Sequence, residues 1–158
     1  MNIKRQATII YSQNYEATKH FYEKVLEFSV EMDFSSVIFY KEGIAVWKVG
    51  EDHNLRSILG PNFEDHKSHP FELYFEIANW DETIERLKKF DINYLHDVHE
   101  EPWGQRTIRI LDPEQNIVEF GETLESFIKR LFDKGTSLEE IASMNGLSLE
   151  DVQGILKN

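Results

Sequence analysis

Two carboxylates stand inside strand-like apolar runs, where a charge needs a reason: Glu72 in "FELYFEI" (71–77) and Glu119 in "NIVEF" (116–120). Side chains alternate along a strand, so Glu119 shares a face with Ile117 and Gly121, and Glu72 shares one with Tyr74 and Glu76. Such a face is either the wet side of an open antiparallel sheet or the floor of a polar cavity. Two carboxyls converging in a partly dry cavity repel, which raises one pKa or requires a cation between them. A carboxyl tuned in this way can transfer protons near neutral pH, and Glu72 and Glu119 are the candidate bases.

Other residue types narrow the chemistry further. His66 and His69 in "HKSH", and His96 and His99 in "HDVH", could approach a metal from loops, but neither pair has the fixed helix or strand geometry of a ligand motif. Trp103, in the loop "PWG", is the aromatic that could meet a ligand, whereas Trp47 shares a side with Ala45 and Val49 and reads as core. Arg106 and Arg109 fall on opposite faces of one strand, so at most one reaches the cavity. No serine sits in a glycine elbow, and no glycine-rich phosphate loop occurs. The chain has no cysteine, which removes thiolate catalysis, zinc-thiolate sites and disulfides.

With 17 basic against 29 acidic residues in 158, the net charge of −12 repels phosphate backbones and anionic lipid heads. Nucleic acid and membranes are therefore unexpected partners. No apolar run is long enough to cross a bilayer, and no leader pattern opens the chain, so a cytoplasmic location is expected.

The elements that must position these groups repeat once. "ATIIYS" (7–12) reads as a strand, and "NYEATKHFYEKVLEF" as a helix with Ala17, Phe21, Val25 and Phe28 on one stripe and Asn14 as its cap. Strands follow near 29–33, at 36–41 and at 44–49, the last two joined across Glu42-Gly43. After a polar stretch (50–70), the order returns. A strand at 71–77 leads to a helix at 79–90, the strand "INYLHDV", and then "QRTIRIL" and "NIVEF" across Asp112-Pro113-Glu114-Gln115. Two βαβββ modules, about 5–50 and 70–122, predict an α+β fold built as a duplicated half-barrel. The region 1–122 would be one domain and 123–158 a helical appendage.

"ATKHFYEKVLEF" and "PWGQRTIRILDPEQNIVEF" resemble the opening helix and closing hairpin of the vicinal oxygen chelate superfamily, which includes glyoxalase I, bleomycin-resistance proteins and extradiol dioxygenases. Glu27 and Asn14 depart from the usual glycine and aspartate. The resemblance implies a cupped sheet, frequent dimers, and a metal or small-molecule site built from the first and fourth strands of each module. Counting from the helices places Ala7, Lys48, Glu72 and Glu119 at those positions. An alanine cannot ligate and a charged lysine offers no lone pair, so two of four ligands are missing. Lys48 then takes the electrostatic role of the ion.

The resemblance therefore implies a small-molecule-binding protein with an acidic pocket and no metal, lined by Ala7, Lys48, Glu72, Tyr74, Trp103 and Glu119. Whether it catalyses a reaction is left open. The alternative is a lyase or isomerase resembling glyoxalase I, with Mg²⁺, Mn²⁺ or Zn²⁺ on Glu72 and Glu119. A third is a ligand-sensing regulator that uses the tail. A homodimer is the expected assembly.

In the tail, Leu124, Phe127, Ile128 and Leu131 form one stripe, and Ser137 and Ser148 with Glu140 and Asp151 three residues on read as helix starts around a turn at Gly146. The pair resembles a helix-turn-helix. From 123 to 158 the four basic residues (Lys129, Arg130, Lys134, Lys157) are outnumbered by six acids (Glu125, Asp133, Glu139, Glu140, Glu150, Asp151), which argues against DNA and for packing through Ile141, Met144, Leu147, Val152, Ile155 and Leu156.

Overall fold

A computed structural model describes residues 7–51 and 72–157; the polar stretch with His66 and His69 lies outside the described residues. The chain forms two compact units, Met1–Phe71 with Asp112–Asn116, and Glu72–Leu111 with Ile117–Asn158. The fold is α+β, with two open mixed sheets and C-terminal helices.

In the first unit, β1 (Thr8–Ser12) leads into α1 (Tyr15–His20), which continues as a wider π-helical turn over Phe21–Val25. Then come β2 (Val30–Asp33), β3 (Val37–Tyr40) and β4 (Ile44–Lys48), with Gly43 at φ 88° making the hairpin turn. The order is β1-β4-β3-β2, parallel between β1 and β4 and antiparallel elsewhere. The π turn adds a residue per turn and moves the buried stripe to Tyr15, Thr18, Phe21, Tyr22 and Val25, leaving Ala17 and Phe28 only partly buried. Asn14 does not cap α1 with its side chain. Its backbone N–H instead donates to Glu114 Oε1 at 2.7 Å.

That glutamate belongs to the turn Asp112–Asn116, which folds with the first unit. Glu114 Oε1 also accepts from Ser12 Oγ at 2.7 Å and Thr18 Oγ1 at 3.1 Å, and the buried Tyr22 hydroxyl donates to Asp112 Oδ2 at 2.8 Å. Burial pushes the Asp112 carboxyl up, and its hydrogen bonds from Asn116, Tyr22 and Glu114 oppose the shift without cancelling it.

The second unit repeats the plan with β5 (Glu72–Ile77), α2 (Trp80–Leu87), β6 (Asn93–Tyr94), β7 (His99–Glu100), β8 (Arg106–Leu111) and β9 (Ile117–Glu122). Its order is β5-β9-β8-β6, with β7 also on β8. The strand expected at "INYLHDV" is thus shortened to β6, and the separate short β7 follows that stretch; both pair with β8. Beneath α2 lie Leu73, Ile108, Ile110, Val118 and Phe120, with Trp80, Ile84 and Leu87 buried from the helix side.

The extension forms α3 (Leu124–Asp133), α4 (Leu138–Asn145) and α5 (Leu149–Lys157). Thr123 and Ser137 cap α3 and α4 with their hydroxyls, Gly146 at φ 64° ends α4, and Ser148 and Asp151 bond reciprocally at the start of α5. Phe127, Ile128, Leu131, Ile141, Ala142 and Val152 form the buried cluster, with Leu138, Leu147, Ile155 and Leu156 packed against it. Each fully buried aliphatic here contributes roughly 1.5–3 kcal/mol. Met144, expected inside, is exposed.

Candidate functional site

Strand pairing decides which side chains share a face, and it corrects the expected set in the first module. Ser12 pairs with Lys48, so Lys48 lies on the face of Ser12 and Ile10, which α1 covers. Ser12 bonds Thr18 of α1 at 3.1 Å, and Lys48 Nζ lies 5.9 Å from the centre of the Tyr15 ring on the same helix. The opposite face carries Ala7, Ile9, Tyr11, Ala45 and Trp47, with the Tyr11 and Trp47 rings 6.1 Å apart.

The matching ladder ends in the second module are Ile77 and Glu122. Lys48 is thus the counterpart of Glu122, while Glu119 corresponds to Ala45 and Glu72 to Ala7. The first half supplies two alanines where the second supplies two glutamates.

On the second sheet, Tyr74, Glu119 and Arg109 lie side by side across β5, β9 and β8, on the face away from α2. Arg109 is the cation of the site. Its Nε donates to Glu72 Oε2 at 2.9 Å, its Nη2 is in ion-pair contact with Glu119 Oε2, and its Nη1 is 3.5 Å from Glu101 Oε1 and 3.4 Å from His96 Nε2. Glu101 is steadied by the Thr107 hydroxyl at 3.1 Å.

Glu119 is only 5% exposed, and among the described residues no donor reaches its Oε2 in hydrogen-bonding geometry. Burial, reinforced by the hydrogen bond with Glu72, pushes its carboxyl up to about 7, although Arg109 pulls the other way. For Glu72, burial is outweighed by hydrogen bonds from Arg109 and Glu119, which hold it below the usual carboxylate range. The two acids thus titrate as a pair beside one guanidinium, and Glu119 is the one that burial and its neighbours favour in the protonated form.

This arrangement sets a pH dependence. Folded Glu119 holds its proton over a window in which the unfolded chain has released it, so its contribution to stability is full below the ordinary value of 4.5 and is lost as pH rises through about 7. A Glu119→Gln variant keeps a donor for Glu72 without the titration. Thermal melts of the two proteins from pH 5 to pH 8 should show the variant gaining on the wild type as pH rises; parallel curves would remove Glu119 as the titrating group.

The rim of this face is aromatic. Trp103 Nε1 donates to Gln105 Oε1 at 3.1 Å, and Gln105 Nε2 donates to the Tyr74 hydroxyl at 2.8 Å and to the Glu122 carbonyl at 2.7 Å. The bridge crosses over Gly121, where a Cβ would come within 2.6 Å of Gln105 Nε2 and 3.0 Å of the Tyr74 hydroxyl. Tyr74 and Trp103 remain 45% and 41% exposed. The signal for Arg109 was present in the hairpin, because residues equidistant from Glu114 pair, and this sets Arg109 opposite Glu119. Arg106 points to the other face, against Trp80 and Glu122.

A glyoxalase-like domain model matches residues 5–125. The chain belongs to the glyoxalase-like family. Solved structures share the fold of this glyoxalase-like chain. A protein of unknown function from Agrobacterium tumefaciens str. C58 is 23% identical over 78% of this chain and 97% of its own, with a TM-score of 0.61. A glyoxalase/bleomycin resistance protein/dioxygenase family enzyme from Burkholderia phytofirmans PsJN is 16% identical over 75% and 98%, with a TM-score of 0.61. A lactoylglutathione lyase from Agrobacterium tumefaciens is 21% identical over 78% and 96%, with a TM-score of 0.52. No curated protein sequence matches the chain.

The metal that the glyoxalase-like fold implies does not fit the described donor set. Glu72 and Glu119 already share Arg109, their first-module counterparts Ala7 and Ala45 have no donor atom, and among the described residues no group of three or more His, Cys, Asp or Glu is arranged to hold an ion. His96 and His99 stack edge-on, their rings 6.3 Å apart, and His99 lies 4.0 Å from Glu101.

Proposed function

We propose that this glyoxalase-like protein binds a small molecule on the open acidic face of its second sheet and works without a metal, as a cytoplasmic homodimer. The observation that carries the reading is the Arg109 guanidinium seated against both Glu72 and Glu119. It supplies the positive charge that two facing carboxylates require. Glu72, Glu101 and Glu119 meet this one cation, so the face keeps a negative balance that suits a cationic or hydrogen-bond-donating ligand. Tyr74 and Trp103 offer ring faces to the same ligand.

A second reading is supported by Glu119, whose carboxyl titrates near 7 and so matches a general acid or base at physiological pH. In it, the bound molecule loses or gains a proton at Glu119 while Arg109 and Glu72 hold the geometry.

Elemental analysis of untagged protein, with calorimetric titration of Mg²⁺, Mn²⁺ and Zn²⁺, tests the metal-free reading. We expect no stoichiometric ion and no saturable heat. One tightly held ion per chain, released by Glu119→Gln, would replace the proposal with a metal-dependent lyase or isomerase resembling glyoxalase I.

A further inference from the structure

The family match stops at residue 125, at the start of α3, yet α3 reaches back to the loop that carries Trp103. Arg130 spreads its fork over three partners. Its Nε donates to Glu122 Oε1 at 3.0 Å, its Nη2 to Glu122 Oε2 at 2.7 Å and to the Gly104 carbonyl at 2.6 Å, and its Nη1 to Glu100 at 3.0 Å. The next residue, Leu131, lies against Gly104 so closely that a Cβ there would stand 2.6 Å from Leu131 Cδ1. Gly104 also has φ 94°, so the position needs glycine both for its backbone and for this contact.

The contacts continue into the proposed site. Glu122, gripped by Arg130, offers its backbone carbonyl to Gln105, and Gln105 holds both Trp103 and Tyr74. The loop closes on itself through Glu101 N to the Gln105 carbonyl and Gly104 N to the Glu101 carbonyl, both 2.8 Å. Without Arg130 and Leu131, the segment from Glu101 to Gln105 keeps these two bonds, its side-chain bridge and, at its first residue, the contacts of Glu101 with Thr107 and Arg109. A short loop so held is free to open locally.

We infer that the helical extension is a working part of the binding site: Arg130 is a positioning residue that clamps the Trp103 rim, so docking of α3 and order at the open acidic face are coupled. The inference builds on the proposed location of the binding face. Coupling of this kind is reciprocal, so whatever displaces α3 loosens the rim, and whatever orders the rim tightens α3. It gives the extension a regulatory role without nucleic acid.

The test needs no ligand, and its failure is therefore distinct from failure of the binding proposal. In full-length protein, hydrogen exchange of the Glu101 and Gly104 amides and the NMR signal of the Trp103 indole N–H are compared between wild type and Arg130→Ala. We expect at least tenfold faster exchange at those two amides and a displaced indole signal, with the Ile108 and Ile110 amides still protected. Arg130→Lys is the second variant: it keeps a charge beside Glu122, so the chain folds, but one ammonium cannot reproduce the planar fork to Glu122 and Gly104. It should show the same displacement to a smaller degree. An unmoved indole signal with unchanged loop exchange in whichever variant folds would overturn the clamp. So would exchange that accelerates equally throughout β8 and β9.

Discussion

Glu122→Ala should lower the unfolding free energy by about 3–5 kcal/mol, the usual consequence of removing one partner from a buried ionic cluster. Glu122 is 1% exposed and accepts from the Arg106 backbone N–H at 2.9 Å, Arg106 Nη2 at 2.7 Å and two nitrogens of Arg130. Deleting its carboxylate leaves two guanidiniums facing each other without their shared anion, and among the described residues Arg106 Nε already lacks a partner. The packing of Arg106 over the Trp80 ring would be loosened as well.

Burial pushes the Glu122 carboxyl up, but hydrogen bonds from Arg130 and Arg106 more than reverse that and hold it below the usual range. A lowered pKa contributes stability above the ordinary value that is lost as pH falls through the folded one. The penalty in Glu122→Ala should therefore be largest at neutral pH and shrink in acid. Urea unfolding at pH 7 and pH 4 measures both. A loss under about 1 kcal/mol at pH 7 would mean that the cluster behaves as a solvated surface network instead.

Arg109→Met should be the second large effect. It removes the charge-assisted bond to Glu72 and the ion-pair contact with Glu119, and bonds of that kind are worth roughly 1.5–3 kcal/mol. With the guanidinium gone, Glu119 loses the one influence that draws its carboxyl down. The variant should thus lose more stability at pH 8, where Glu119 must ionise beside Glu72, than at pH 5, where one proton still relieves the pair. Adding Glu119→Gln should recover part of the loss at pH 8, and a double-mutant cycle in urea reads the coupling. Strict additivity at both pH values would show that the three side chains do not act together.

Much of the secondary structure was legible locally. Gly43 and Gly146 mark turns by their backbone freedom, Ser137 and Ser148 mark helix starts by their hydroxyls, and the repeated strand-helix order announced the duplication. Lys48 was misplaced because pairing register is a long-range property: which residue of β4 lies beside Ser12 is fixed by the whole ladder, and one residue of slip changes the face. The same slip gave Lys48 the role that Arg109 holds. Alternation alone left Arg106 and Arg109 equivalent; the hairpin register, which sets Arg109 opposite Glu119, is what distinguishes them. The shortening of the strand to β6 and the separate β7 after it could not be read from "INYLHDV", whose composition suits one continuous strand. Arg130 gave no local sign, since its partners Glu122 and Gly104 come from elements that a helix pattern does not mention.

The turn Asp112–Asn116 gives the chain an order of assembly. It satisfies Ser12, Thr18, Tyr22 and the Asn14 amide, groups about a hundred positions earlier. A chain that ends near residue 71 has every strand of the first sheet but not Asp112, which accepts from the Tyr22 hydroxyl, so that buried bond forms only once the last hairpin is present. Contacts of such separation are slow to close and favour late, concerted consolidation over module-by-module folding.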